Sequence, residues 1–296
     1  CRMIVMDIYL QIAWNSLTIA ALIAMMAASF TLIYSVTRVV HVAHGGVVLA
    51  SGYFFYFGWT HGFGFVGAAA LAVILAAILG VAINALVYEP LRRRRPLTGT
   101  AGMLASVAAL IVIQNLLLAV WSSHTIVLHT PLERVASWAV GPLVVTPVSV
   151  LILSVAIPVF VFCALLMRFT KVGRAMRAVS DHEEMAEVVG INSKRIRMMS
   201  FAFFSAIGGL AGVLAALFYN LQPPYAVGFA VDAFSTAIVG GIGSLGGTEV
   251  AAIFIYTLTN LGGFWMTAGI KTLFAFVVVF LFLLLRPQGI FGKKRR

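Results

Sequence analysis

Long apolar runs separated by short polar connections make up almost the whole chain. A helix needs about 20 apolar residues to cross the hydrocarbon core of a bilayer, and several of these runs reach that length. The pattern therefore predicts an all-α polytopic transmembrane bundle with about eight or nine spans, some of them broken or half-length. The predicted spans cover residues 8–34, 44–59, 65–87, 101–120, 148–167, 198–219, two halves within 229–261, and 272–285.

The composition excludes a large water-facing domain. Hydrophobic residues make up 62% of the 296 residues, charged residues make up 10%, and the mean hydropathy is +1.05. A soluble fold of this size needs more polar side chains to cover its surface. The two cysteines, Cys1 and Cys163, have neither metal-ligand nor redox spacing, so we expect neither a disulfide framework nor a bound metal.

The net charge of +11 predicts membrane topology rather than nucleic-acid binding, because the basic residues are clustered. Basic residues near the ends of membrane helices are retained on the cytoplasmic side. Three clusters, within 92–95, 168–197 and 286–296, are therefore expected in the cytoplasm, and the first also anchors lipid headgroups. The loop 121–147 and the N-terminus are then expected outside, with Arg38 inside.

Glycines interrupt two of the predicted spans. Backbone groups freed by a broken helix cannot face hydrocarbon, so they must face protein or a polar cavity. The sequence GGIGSLGG at 240–247 and the segment 43–46 follow comparable spans in the two halves, a pattern typical of inverted repeats around a transport site. Close helix packing through small residues accounts for the same glycines equally well, and both interpretations can hold together.

A charged segment, residues 173–190, lies between apolar spans. The capping-box spacing occurs in it twice, so we predict a helix that begins at Asp181 or His182 and ends at Gly190. Apolar residues share one face of this helix, which makes it amphipathic. An ordinary interfacial helix explains the pattern as well as a docking surface for a partner does. The apolar face consists of Met185, Val188 and Val189, and the capping-box pairs are Ser180 with Glu183 and Asp181 with Glu184.

Four motifs, in order along the chain, resemble those of the membrane-spanning permease subunits of branched-chain amino acid ABC importers. The likeness covers most of the sequence. The chain departs from the family pattern at Gly46, where an acidic residue is common, at Met185, where Ala is usual, and at Gly246, where Pro is frequent. The motifs are Val-Ala-His-Gly at 42–45, Gly-Arg-Ala-Met-Arg-Ala at 173–178 with Gly-Ile-Asn at 190–192, Gly-Gly-Ile-Gly-Ser at 240–244, and Arg-Pro-Gln-Gly-Ile-Phe-Gly at 286–292.

The resemblance implies that residues 1–296 form a single permease domain whose coupling loop lies within 168–198. In ABC importers this loop sits in a groove of a cytoplasmic ATPase, and the small side chain of Ala186 would let that partner approach. The implied ATPase-coupling residues are Gly173, Arg174, Arg177, Asp181, Glu184, Ala186 and Gly190, and the implied translocation pathway consists of Ala43, His44, Gly45, Gly240, Gly241, Gly243 and Ser244.

The resemblance also implies a set of partners in the cytoplasmic (inner) membrane of a prokaryote. These are cytoplasmic ATP-binding subunits, a second permease subunit, an extracytoplasmic substrate-binding protein and membrane lipid. ATP and Mg would be held by the ATPase, with no cofactor bound by this chain. The cargo would be a branched-chain or related aliphatic amino acid, although amides, urea and aromatic acids are also handled in this family.

Two other classes of function stay open at this point. The chain has no Gly-x-x-x-x-Gly-Lys-Ser/Thr loop to bind a nucleotide. An autonomous secondary carrier or channel for a small polar solute, including urea or short amides, would need no ATPase, but few charged residues lie at bilayer depth. An intramembrane enzyme would have to use His41, His44 and Asp232, although no third metal ligand is close to the histidines in sequence. We assign no catalytic residue.

Overall fold

Helices form nearly all of the computed structural model, which describes residues 2–94, 99–263, 268–286 and 288–291. The two basic stretches at Arg95 and at 293–296 lie outside the described residues. A π-helical turn, Asn84–Tyr88, joins α3 to α4. The helices are α1 Arg2–Thr37, α2 His44–Thr60, α3 Gly64–Ile83, α4 Glu89–Arg94, α5 Gly99–Trp121, α6 Pro147–Phe169, α7 Lys171–Asp181, α8 Glu183–Val188, α9 Ser193–Phe218, α10 Tyr225–Gly240, α11 Leu245–Gly263 and α12 Ala268–Leu285.

The bundle is organised around α1 and α9. The most apolar stretch of α1 is 89% buried and that of α9 is 67% buried, against 22% for both α5 and α6. Because exposed side chains on the outer helices are mostly apolar, that surface suits contact with lipid. The all-α class predicted from the sequence is confirmed by this arrangement.

The two halves of the bundle repeat one packing pattern. Helix α1 packs along α11 and α10, while α9 packs along α3 and α2. Exchanging α1, α2 and α3 with α9, α10 and α11 therefore maps one set of contacts onto the other. The two helix triplets also begin at opposite ends of the bundle, which is the arrangement of an inverted repeat.

The span count agrees with the sequence only in part. Five described helices, α1, α3, α5, α6 and α9, are long and apolar enough to cross a membrane. The pair α10 and α11, bent by 113° at their junction, makes six if it is taken as one span. Helix α2, with 17 residues, is short for a full crossing. The expected total of eight or nine spans is therefore not fully matched.

The predicted outside loop is folded rather than extended. It contains a 3₁₀ turn, Pro131–Arg134, and an antiparallel hairpin of β1, Trp138–Val140, with β2, Leu143–Val145. The Gln11 amide donates to the Val144 carbonyl at 3.1 Å, so the hairpin is fixed to the start of α1. A backbone bridge pairs Ile126 with Leu221, which precedes α10. We call this end of the bundle the loop end.

Most of the described basic residues gather at the opposite end, which we call the basic end. The Arg38 guanidinium donates to the Ser180 carbonyl at 2.7 Å, and that of Arg92 donates to the Thr37 carbonyl at 3.0 Å. These bonds place the end of α1, the end of α4 and the end of α7 together. The first two basic clusters therefore lie at the same end of the bundle, as the charge pattern predicted.

Candidate functional site

The first of the two helix breaks, the segment 43–46 at the start of α2, lies inside the bundle rather than at its surface. His44, the first residue of α2, has its Nε2 atom 2.7 Å from Ser29 Oγ of α1. Ser29 precedes the end of α1 at Thr37 by eight residues, which is about 12 Å along the helix axis. The Ala43 amide donates to Ser106 Oγ of α5 at 2.8 Å, which satisfies one backbone group freed by the break.

The glycine of this break is a contact point between helices. A Cβ atom at Gly45 would lie 2.3 Å from the Ala226 carbonyl oxygen and 2.5 Å from the Ala230 amide nitrogen of α10. No side chain fits that space, so α2 and α10 meet backbone to backbone. Close packing, one of the two interpretations of the glycines, therefore holds at Gly45.

The neighbouring histidine is buried in an aromatic cluster. His41 Nδ1 is 2.8 Å from the Tyr88 hydroxyl, and the His41 ring contacts the Phe201 ring edge-on. Among the described residues there is no group of three or more His, Cys, Asp or Glu side chains that could hold a metal ion. Asp232 of α10 lies beside the Tyr256 side chain of α11 instead.

The second break is a glycine turn between two helices, as the sequence predicted. Gly241 and Gly243 have φ angles of 93° and 95°, which side-chain-bearing residues rarely adopt. Ser244 Oγ accepts a hydrogen bond from the Gly247 amide at 3.1 Å and so caps the start of α11. A Cβ atom at Gly240 would lie 2.6 Å from the Gly247 carbonyl, so the two helices approach closely here.

The C-terminal motif closes the end of α10. The Ile290 amide donates to the Val239 carbonyl at 2.8 Å, and the Phe291 amide donates to the Gly240 carbonyl at 3.2 Å. These carbonyls have no partner within the helix, because they belong to its last turn. Two motifs that are separated by more than 40 residues in the sequence thus form one structural unit.

We expect Gly289→Ala to loosen this unit. Gly289 has a φ angle of 78°, and a Cβ atom there would lie 2.6 Å from the Gly241 amide nitrogen. The change combines an unfavourable backbone conformation with a clash, so we expect a loss of about 2 kcal/mol in stability. Thermal unfolding of the purified protein measures it. Gly246→Ala is the control, since nothing lies within 4 Å of its added Cβ atom, and equal loss in both variants would contradict the prediction.

The two breaks lie at different levels of the bundle. Gly45 contacts Ala230, which precedes Gly240 by ten residues, or about 15 Å along α10. The residues that the resemblance assigned to one pathway therefore form two separate groups. The first is Ala43, His44 and Gly45, and the second is Gly240, Gly241, Gly243 and Ser244.

The start of the coupling segment is fixed to the end of α6. Thr170 Oγ1 accepts a hydrogen bond from the Gly173 amide at 2.9 Å and caps α7. A Cβ atom at Gly173 would lie 2.1 Å from the Leu166 carbonyl oxygen. The Arg177 guanidinium donates to the Met167 carbonyl, and that of Arg174 donates to the Phe169 carbonyl at 3.5 Å. Gly173, Arg174 and Arg177 thus support the sharp turn between α6 and α7.

The predicted helix start was wrong by one or two residues. Ser180 and Asp181 end α7, and α8 begins at Glu183 after an extended His182, which makes no side-chain cap. The reason lies far away in the sequence. The Ser180 hydroxyl donates to the Ser35 carbonyl at 2.6 Å, and the Ser180 carbonyl accepts from Arg38. Ser180 is therefore unable to cap α8.

The predicted stop of this helix is confirmed. Gly190 has a φ angle of 87°, and the Ile191 amide donates to the Ala186 carbonyl at 2.9 Å, as in a Schellman motif. Ala186, however, is 3% exposed and faces its own chain, so it does not offer the approach surface that we expected. The residues exposed on α8 are Glu184, Met185, Glu187 and Val188, followed by Val189.

Four charged residues fix α8 to the rest of the basic end. Glu183 forms ion pairs with Arg197 of α9 and, at 3.7 Å, with Arg92 of α4. Arg197 also pairs with Glu89 at 3.4 Å. Sequence reasoning missed this charge network, because Glu89 and Arg197 are 108 positions apart. The available signal was Glu89 itself, an acid placed three positions before the first of four consecutive arginines.

Comparison with known proteins identifies the family. The model of the branched-chain amino acid transport system / permease component family matches residues 12–285. This chain belongs to that family. The permease is 27% identical over 305 residues to the high-affinity branched-chain amino acid transport system permease protein LivH of Escherichia coli K12, covering 96% of each chain. It is 28% identical over 302 residues to BraD, the corresponding protein of Pseudomonas aeruginosa, again covering 96% of each.

A solved structure supports the fold. One chain of PsaBC from Streptococcus pneumoniae, determined in complex with a Fab, superposes on the permease with a TM-score of 0.52 at 14% identity. The match covers 94% of the permease and 92% of that chain. By its family match, the permease belongs to the transport subunits rather than to an enzyme family, and the autonomous carrier is not favoured.

Proposed function

We propose that the permease forms the membrane pathway of an ATP-driven importer for branched-chain or related aliphatic amino acids. Support comes from the full-length match to permeases that bear this description. Within the molecule, the observation that carries the proposal concerns α8. This short helix has an exposed apolar face and is fixed to the basic end by ion pairs. Energy then comes from a separate ATPase, which holds ATP and Mg.

The docking surface for that ATPase is the exposed side of α8. Met185, Val188 and Val189 are 68%, 81% and 74% exposed, although α8 lies among charged residues outside the membrane spans. Apolar side chains in such a place are typical of protein interfaces. The charge network and the buried Ala186 hold the opposite side of α8, so force on the exposed side passes to α9 and α4.

We expect Val188→Glu to abolish ATPase binding. A carboxylate at the centre of an apolar contact must be desolvated without a partner, so affinity should fall at least about tenfold. The measurement is the amount of ATPase that remains with the tagged permease after mild detergent extraction. Val140→Glu, at a residue 59% exposed in the hairpin of the loop end, is the matched control. Unchanged ATPase recovery with Val188→Glu, in a correctly inserted protein, would rule out docking through α8.

The proposed pathway passes the two helix breaks. The start of α2 and the turn between α10 and α11 are the places where helical hydrogen bonding stops within the bundle, which favours passage of a polar solute. Ala43 and His44 would frame it at one level, with Gly241, Gly243 and Ser244 at another. Gly45 and Gly240 would act by letting the neighbouring backbones approach.

The remaining partners follow from the same proposal. A second permease subunit would complete the pathway in the cytoplasmic (inner) membrane of a prokaryote, with the basic end in the cytoplasm. An extracytoplasmic binding protein would deliver substrate to the loop end, where the hairpin projects exposed Trp138 and Val140. Uptake of radiolabelled leucine by membrane vesicles, with and without ATP and with urea as a competitor, tests the cargo and the energy source together.

A further inference from the structure

A groove at the basic end of the bundle runs between α9 and the segment made of the end of α3, the π-helical turn and α4. Two adjoining cavities of about 400 and 440 Å³ form it, and both are lined by Lys194 and Met198. We call it the α3–α9 groove. It belongs neither to the two helix breaks nor to the exposed side of α8, so the proposed transport function leaves it unexplained.

The polar half of this groove is cationic. Arg93, Lys194 and Arg195 all line it. The acidic residue in the lining is Glu89, and its carboxylate is already paired with the Arg197 guanidinium at 3.4 Å. The lining of the groove therefore carries an excess of positive charge, which favours an anionic ligand.

An unsatisfied amide points to the same conclusion. Asn84 also lines the groove, although it is only 2% exposed. Its Nδ2 atom has no hydrogen-bond partner among the described residues. A buried donor without an acceptor is costly, so an oxygen-bearing ligand in the groove would stabilise it. Asn84 begins the π-helical turn between α3 and α4, and such turns are frequent at functional sites.

The other half of the groove is apolar. Val81, Met198 and Ala202 form its wall. Exposed apolar side chains also lie on α3 and on the π-helical turn that follows it, where Ile78 and Leu86 are 57% and 77% exposed. The apolar stretch that includes α3 runs to Arg93, so the groove lies where the hydrocarbon core gives way to the headgroup layer.

We propose that the α3–α9 groove binds one anionic glycerophospholipid of the phosphatidylglycerol type. Arg93, Lys194 and Arg195 pair with its phosphate, the Asn84 amide donates to a headgroup or ester oxygen, and an acyl chain lies along Val81, Met198 and Ala202. A zwitterionic lipid lacks the net charge that the cations favour, and free phosphate lacks the chain that the apolar wall favours. The proposal rests on the membrane placement of the chain and is independent of what it transports.

The test is lipid binding to the purified full chain, measured by native mass spectrometry with phosphatidylglycerol and with phosphatidylcholine. The double variant Arg93→Gln/Lys194→Gln should bind phosphatidylglycerol roughly 30-fold more weakly, because each cation near an anionic headgroup contributes about 1 kcal/mol. The control is Arg168→Gln/Lys171→Gln, which removes the same charge from exposed positions near the start of α7. Equal loss in both double variants, or equal binding of both lipids to the unmodified chain, overturns the proposal.

Two further measurements separate the alternative occupants. Millimolar inorganic phosphate should not displace the bound lipid, and displacement by phosphate alone would show that the groove is an anion site without lipid selectivity. A photo-crosslinking side chain at Met198 should form a lipid adduct in membranes that contain the assembled importer. An adduct with the ATPase or the second permease there would overturn the proposal, and this readout holds even if a groove variant fails to fold.

Discussion

Arg197→Met is expected to destabilise the permease by about 3 kcal/mol and to abolish transport. Arg197 is 5% exposed and lies between the carboxylates of Glu89 and Glu183. Methionine fills a similar volume but leaves two like charges facing one another, with Glu89 itself 9% exposed. Loss of one partner from a buried ion pair costs more than the pair contributes when it is intact, because the remaining charge stays desolvated.

Thermal unfolding in lipid-free detergent measures the stability change, and leucine uptake in vesicles measures the loss of transport. Arg195→Met is the control, since Arg195 lies on the same helix turn but is exposed. The double variant Glu89→Gln/Arg197→Met should recover at least about 1 kcal/mol, because it removes the buried charge of Glu89, whereas Glu183 keeps its ion pair with Arg92. The explanation fails if Arg197→Met unfolds at the same temperature as Arg195→Met, or if the second substitution brings no recovery.

Gly45→Ala is the other substitution with a large expected effect. The added methyl group would need the space occupied by the Ala226 carbonyl and the Ala230 amide, at 2.3 and 2.5 Å. Backbone atoms in the first two turns of α10 cannot turn aside as a side chain can, so the two helices must separate. We expect a loss of at least about 3 kcal/mol, at the upper end of what overpacking costs in a well-packed core.

The matched control for this substitution is Gly228→Ala, in the helix that Gly45 touches. Nothing lies within 4 Å of the Cβ atom added there, and alanine favours a helix over glycine by about 1 kcal/mol. Gly228→Ala should therefore be neutral or slightly stabilising. Membrane insertion, unfolding temperature and uptake are compared for the two variants. If both behave alike, the contact between α2 and α10 is not as close as the structure places it.

Features set by local chemistry could be predicted from the sequence. The helix pair around residues 240–247 follows from its glycines, because Gly241 and Gly243 permit backbone angles that end one helix and turn the chain. The stop at Gly190 follows for the same reason. The common position of the first two basic clusters follows from their charge and from the even number of spans predicted between them. None of these depends on what the rest of the chain does.

Features set by distant contacts could not be predicted. Ser180 has the right spacing to cap α8, but its hydroxyl donates a hydrogen bond to the carbonyl of Ser35, which lies 145 positions away in the sequence. Ala186 looks like a surface for a partner, yet it packs inward because Glu183 turns that side of α8 toward Arg197. The number of spans is matched only in part for a related reason, since α2 begins beside Ser29 within the bundle rather than at its surface.

The central position of α1 has a consequence for how the protein is made. Helix α1 is synthesised before its main partner, α11, which follows more than 200 residues later in the chain. During that interval α1 cannot pack against α11, although its side of the future core carries hydroxyl groups. Most of those groups donate to carbonyls within α1 itself, which stabilises the helix before α11 is present. The internal bonds run from Ser16, Thr18, Ser29 and Thr37 to the carbonyls of Ile12, Trp14, Met26 and Ile33.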